Sequence, residues 1–147
     1  MRIRPAVAAD IDAITDFNLA MALETEDRAL DRARLRAGVE GVFADPRRGF
    51  YRIVEVDGEK VGGLLITFEW SDWRNADWWW IQSVYVQPTQ RGRGVFSALF
   101  DAVESEARSA GACGLRLYVE RDNLRAQQTY RRLRMDESHY LMYERAF

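Results

Sequence analysis

The segment Val84-Tyr85-Val86-Gln87-Pro88-Thr89-Gln90-Arg91-Gly92-Arg93-Gly94-Val95 combines residue types that suit an anion. Its glycines and arginines stand directly before an amphipathic stretch, and the first turn of a helix leaves backbone N–H groups without intrahelical partners. Those donors and the positive end of the helix dipole attract phosphate, and glycine lets a phosphate approach the backbone closely. Arg91 and Arg93 add forked donors that match phosphate oxygens. The pattern predicts a phosphate or pyrophosphate site, with a solvated arginine-rich turn as the alternative. A Walker A loop is excluded because no Gly-Lys-Ser/Thr closes the segment. A dinucleotide fingerprint would need a third glycine near Ser97 and an early strand–helix–strand unit.

Two further clusters could do chemistry. In Arg121-Asp122-Asn123-Leu124-Arg125-Ala126-Gln127-Gln128-Thr129-Tyr130, Asn123 and Tyr130 are separated by seven residues, about two helical turns. They therefore share a helix face with Ala126, whose small side chain permits close approach, and the Tyr130 hydroxyl can reach a ligand there. The stretches Glu69-Trp70-Ser71-Asp72-Trp73 and Asp77-Trp78-Trp79-Trp80 mix carboxylates with indole faces, which suits a cationic amine. Glu24, Trp70, Asp72 and Trp78 are the candidate substrate residues. Strand alternation sends Trp78 and Trp80 to one face and Trp79 to the other. Cys113 reads as a passive small residue, and His139 has no partner at metal spacing, so no metal site is expected.

The elements that must position these groups follow from periodicity. Arg2 to Arg4 reads as a short strand stopped by Pro5. Asp10 reads as the N-cap of a helix carrying Ile11, Ile14, Phe17 and Met21 on one side. A second helix presents Leu35, Val39, Val42 and Phe43 and stops before Asp45-Pro46. Strands over 50–56 and 61–68 flank the turn Asp57-Gly58, 69–77 reads as a loop, and 78–86 is a third long strand. A helix from near Gly94 to Gly111 carries Phe96, Leu99, Phe100, Val103 and Ala107. A strand over 115–119, a helix capped by Asp122 or Asn123, and a last strand over 140–143 complete the order. This is an α/β chain, a mixed sheet in a single domain spanning 1–147.

Composition narrows the class. The 147 residues are 48% hydrophobic and 30% charged, the balance of a globular chain. A net charge of −2 argues against a nucleic-acid partner, and no apolar run approaches membrane-spanning length. With one cysteine and no signal-peptide pattern, a cytoplasmic setting is the simplest expectation.

Together the first two segments resemble the GNAT superfamily of acyl-CoA-dependent N-acyltransferases. Arg91-Gly92-Arg93-Gly94-Val95-Phe96 is similar to its Arg/Gln-x-x-Gly-x-Gly/Ala signature, and the Asn123–Tyr130 segment to its Asn-x-x-Ala-x-x-x-Tyr. Phe96 departs from the small residue usual there and is expected to point into the core. Arg134 stands where a glycine is common. The resemblance implies a central, mostly antiparallel twisted sheet, flanked by helices and splayed where acetyl-CoA enters. It implies that Val84, Tyr85 and Val86 supply backbone groups to the pantetheine arm, and that the N–H groups from Arg91 to Val95, with Phe96, hold the pyrophosphate. Asn123 and Ala126 would adjoin the cofactor.

The implied reaction is attack of an amine of a small molecule or peptide on the thioester. Tyr130 is the candidate acid, because a phenol near pKa 10 can protonate a thiolate near 8.5. Glu69 is the candidate base, with Glu26 and Glu120 among its rivals and a water chain as the alternative. Two other classes stay open: a non-catalytic acyl-CoA-binding or sensing module, and a protein-interaction domain using the tryptophans. A homodimer through the terminal strand's edge is compatible with the sequence.

Overall fold

Alternating β-branched and aromatic residues build the sheet on which the candidate site rests. In the computed structural model, which describes residues 1–147, five strands lie in the order β1-β2-β3-β4-β5. They are β1 (Arg2–Pro5), β2 (Phe50–Val56), β3 (Glu59–Ser71), β4 (Ala76–Val86) and β5 (Gly114–Arg116). The first four pair antiparallel, and β5 joins β4 in parallel. Helices α1 (Ile11–Glu26), α2 (Arg32–Ala44) and α3 (Val95–Ser109) belong with this sheet, and α4 (Leu124–Arg132) follows it. The chain divides into two compact units, Met1–Leu117 and Tyr118–Phe147. No helix is long and apolar enough to cross a membrane.

In the first unit each sheet face has its own helices. Tyr51 and Ile53 of β2 pack with Ile14 of α1 and Val39 of α2, together with Phe17, Leu35 and Val42. The intervening residue Arg52 points to the opposite face, where it pairs with Glu106 of α3. The apolar stripe of α3 is Val95, Leu99, Phe100, Val103 and Ala107, all buried. Val95 thus takes the first place in the stripe that the sequence assigns to Phe96. Phe96 is only half-buried and lies tilted against Phe100, 6.3 Å between centroids.

Four expectations are corrected. The loop expected over 69–77 shrinks to a turn over 72–75: β3 runs to Ser71 and β4 starts at Ala76, because Phe68, Glu69 and Trp70 find partners in Trp79, Trp78 and Asp77. Asp10 holds the N-cap position of α1, but its side chain does not cap that helix. Asp10 is 1% exposed, and its carboxylate binds Arg4 Nη1 at 2.6 Å, Lys60 Nζ at 2.7 Å and the Val7 N–H at 2.8 Å. The Arg4 hydrogen bond, chiefly, holds its pKa well below the carboxylate range. The strand expected over 115–119 shrinks to Gly114–Arg116. The strand expected over 140–143 does not form, since strand propensity is expressed only where a neighbour supplies the ladder.

The second unit holds α4 alone. Asn123 caps it, its side-chain Oδ1 accepting the Ala126 N–H at 3.1 Å.

Candidate active site

An extended backbone edge opens beside the glycine-rich bend. Gln87 N–H donates to Val61 O at 2.8 Å, so the alternation of an antiparallel strand turns the backbone groups of Val86 toward the other edge of β4. On that edge β5 pairs only with Trp78–Trp80, leaving 81–86 without a strand neighbour. The divergence coincides with a bulge, where Ser83 and Val84 together oppose Leu64 and Ser83 takes a φ of 50°. Val84, Tyr85 and Val86 lie on this open stretch. The Tyr85 side chain does not face it. Its ring is buried and stacks on Phe17 at 5.3 Å.

The bend itself is built from backbone. Pro88 fixes a single 3₁₀ turn closed by Gln90 N–H to Gln87 O at 2.9 Å. Gly92 and Gly94 then adopt φ of 75° and 78°, the left-handed region that favours glycine. A Cβ at either position would meet nothing within 4 Å, so the bend is open to an incoming group. The first intrahelical bond of α3 is Ala98 N–H to Gly94 O, and no side chain caps the helix. The amides of its first turn therefore precede that bond, at the helix's positive end. Arg91 to Gly94 are exposed, while the buried Val95 side chain anchors the turn. Arg93 makes no ion pair with any acid of the chain.

Arg91 is engaged elsewhere. Its Nε donates to Val86 O at 2.8 Å, its Nη2 pairs with Glu24 Oε2 at 2.5 Å, and its guanidinium lies 5.6 Å from the Tyr85 ring centroid. Tyr85 Oη donates to the other Glu24 oxygen at 3.3 Å. Burial, and then the Glu24 charge, push the Tyr85 phenol up. A residue assigned to the pyrophosphate and one assigned to the acceptor are thus joined in one ion pair.

At the other end of β4 the charged and aromatic side chains are mutually satisfied. Glu69 Oε1 accepts from Trp80 Nε1 and Oε2 from Arg116 Nη1, each at 2.8 Å. Arg116 also lies 3.9 Å over the Trp78 ring, and Arg74 lies 4.9 Å from it. The register explains the cluster: Glu69 opposes Trp78 across β3–β4, and Arg116 opposes Trp80 across β4–β5. Gly114 is required beneath Trp78, since a Cβ there would come within 2.4 Å of the ring. Trp79 is on the other face, buried against Phe50 and Phe68. Trp70 is exposed, Trp73 is 87% exposed, and the hairpin turn is closed by Asn75 N–H to Asp72 O at 3.3 Å, while the Asp72 carboxylate accepts the Trp73 N–H at 2.9 Å.

Arg116, Arg74 and Ser83 were not singled out from the sequence. Alternation alone places Glu69 and Arg116 on definite faces of their strands, but only the register between strands puts both beside Trp78.

In the second unit, Asn123 spends its side-chain oxygen on the α4 cap, and Ala126 is the residue it caps. Tyr130 lies on the same helix, and burial pushes its phenol up. Cys113 is half-buried with Sγ 3.9 Å from Ala76 O, as a packed residue would be. His139 lies against Tyr140, with 4.1 Å between ring centroids. No group of three or more His, Cys, Asp or Glu is placed to hold a metal.

The chain belongs to the acetyltransferase (GNAT) family, which matches residues 11–134. It is similar to a possible acetyltransferase from Clostridium difficile 630, with 41% identity, a TM-score of 0.93, and coverage of 99% of this chain and 97% of that one. It shares its fold with the ribosomal-protein-alanine N-acetyltransferase of Brucella melitensis biovar Abortus 2308 (19% identity, TM-score 0.79, 99% and 98% covered). The same holds for a "predicted acetyltransferase with acetyl-CoA" from Clostridium acetobutylicum (15% identity, TM-score 0.81, 98% and 95% covered). No curated protein sequence matches the chain.

Proposed function

We propose that this acetyltransferase moves the acetyl group of acetyl-CoA to a primary amine by direct attack, with no covalent enzyme intermediate. The observation that carries the reading is the open Gly92–Gly94 bend beside the unpaired length of β4. A diphosphate suits the first-turn amides of α3, and an amide-containing pantetheine arm suits the free edge of a strand. The solved structure containing acetyl-CoA shares this fold and supports the choice of donor.

In the proposed reaction the amine lone pair attacks the thioester carbonyl carbon, the C–S bond breaks, the new amide nitrogen gives up one N–H proton to water, and the thiolate takes a proton. Backbone N–H groups of the open edge polarise the carbonyl. Tyr130 supplies the proton. Burial raises its pKa, so the phenol is fully protonated near neutrality. The amine must lose a proton first, and Glu69 is poorly suited to take it while bound to both Arg116 and Trp80. Water is assigned that step, and Glu69 is assigned the ordering of Arg116 and the indoles around the acceptor. Cationic amines are the favoured acceptors, drawn either by Glu24 at the bend or by Asp72 and the exposed Trp70 at the other end of β4, which lie farther apart than the length of a small amine.

The test is release of free thiol from acetyl-CoA across amines of graded size and charge. Amine-dependent release is expected. Binding of acetyl-CoA with no release for any amine would identify a sensing module instead.

A further inference from the structure

Two polar side chains interrupt the core between α1 and the sheet. Asn18 lies one turn after Ile14 on α1 and is 6% exposed, and Tyr51 of β2 is 7% exposed. Asn18 hydrogen-bonds the Tyr51 hydroxyl, opposing the burial that pushes this phenol up to about 12. A side-chain amide has four hydrogen-bonding positions, so that contact leaves most of them unmet. No other protein group bonds the side chains of Asn18, Tyr51 or Ser83. An apolar pair would fill the same core positions without leaving polar groups unserved, so the arrangement calls for a further partner.

The three residues meet at a cavity. Asn18, Tyr51 and Ser83 line a space of about 10 Å³, measured by the centre of a water-sized sphere, and Ile14, Phe17 and Ile53 form its apolar walls. That room admits about one water, and three polar neighbours are the usual complement of a buried one. Gly63 contributes bare backbone to the lining, since a Cβ there would come within 2.5 Å of Arg52 O. Ser83 belongs to the β4 bulge and is held at a φ of 50°, which residues other than glycine seldom adopt. A strained residue of the bulge thus borders the same small space as the buried amide and phenol.

We propose that this cavity holds one ordered water, shared by Asn18, Tyr51 and Ser83, and that the water fixes the bulge at the start of the open backbone edge Val84–Val86. Asn18 and Tyr51 are then positioning residues, which act through the bulge on the backbone N–H groups that polarise the thioester carbonyl. The positioning role rests on the transfer reaction proposed above; the water site does not.

The experiment compares wild type with Asn18→Leu, which keeps the branching at Cγ without the polar atoms, and Tyr51→Phe, which removes only the hydroxyl. Ile53→Val, which trims an apolar wall of the cavity, is the control. In wild type a nuclear Overhauser effect between the Ser83 amide and a long-lived water is expected, and it should vanish in both polar variants. Amide exchange at Ser83 and Val84 should rise about 10-fold in those variants. Their amine-dependent kcat should fall roughly 10-fold with acetyl-CoA affinity unchanged. Ile53→Val should lower the melting temperature and move none of these readouts. A wild type without the water signal would overturn the proposal, and so would unchanged exchange at 83–84 in the polar variants. An unchanged kcat where the water is lost, or an equal kcat loss in Ile53→Val, would overturn the positioning role. Should the wild type release no thiol with any amine, the transfer reading fails, while the water signal and the exchange rates still decide the site. Should one polar variant fail to fold, the other and the wild-type water signal decide it.

Discussion

The two ends of β4 bear different kinds of surface. At its C-terminal end the bend is made of backbone, with Gly92 and Gly94 clear of every side chain and a strand edge left unpaired. At its N-terminal end Glu69, Trp78, Trp80, Arg74 and Arg116 already bind one another. The first kind of site is preorganised, since fixed amides need no rearrangement to receive an anion. In the second, a ligand must compete with existing ion pairs and stacks, so single substitutions there should shift affinities modestly.

Gly94→Glu is the sharpest way to break the contrast. The added side chain has open space, and the left-handed φ costs it about 1–2 kcal/mol, which leaves a folded protein. A carboxylate beside the bend would nonetheless repel a diphosphate. Calorimetry is expected to show a loss of more than about 100-fold in acetyl-CoA affinity, whereas Gly94→Ala should lose far less. Equal affinity in Gly94→Glu and wild type would mean that the bend is not the anion site.

Tyr130→Phe comes next. Turnover is expected to fall on the order of 100-fold with acetyl-CoA affinity unchanged. Because burial raises the phenol's pKa, wild-type turnover should not decline through Tyr130 ionisation below about pH 10. A decline of kcat at lower pH that vanishes in Tyr130→Phe would contradict this.

Glu69→Gln tests the crowded end. It keeps an acceptor for Trp80 but leaves Arg116 without its anion. The KM of a cationic amine should rise about 3- to 10-fold, as expected for a partly exposed ion pair, with little change in kcat. A drop in kcat comparable to that of Tyr130→Phe would make Glu69 the base.

The same contrast explains what the sequence could tell. The bend was legible because backbone geometry is written locally: Gly92 and Gly94 at the start of an apolar helical stripe need no distant information. The three long strands and the Asp57-Gly58 turn were legible for the same reason. The pairing of Glu69 with Arg116 depends on the β3–β4 and β4–β5 registers, which link residues far apart in the chain. Asp10 misled because an acid before an apolar helix has two uses, and the cations Arg4 and Lys60 come to it only when β1 and β3 enter the sheet. The two ends of the 69–77 segment misled because their polar residues hide the cross-strand partners that hold them extended on either side of the 72–75 turn.

Glu24→Gln has the smallest expected effect and an informative sign. In wild type the Arg91 guanidinium is held by Glu24 and by Val86 O, in a pair about one-third exposed at each side chain. A diphosphate at the bend must share that guanidinium with Glu24 or draw it away. Removing the Glu24 charge removes the competitor, so acetyl-CoA should bind about 2- to 5-fold more tightly, in keeping with the modest strength of exposed ion pairs. Linkage requires the reverse as well: acetyl-CoA loosens Arg91 from Glu24 and frees that carboxylate to meet a cationic amine. Acetyl-CoA should therefore lower the KM of such an amine in wild type, and Glu24→Gln should abolish this coupling. Weaker acetyl-CoA binding in Glu24→Gln would instead mean that Glu24 holds Arg91 in its binding position at the bend.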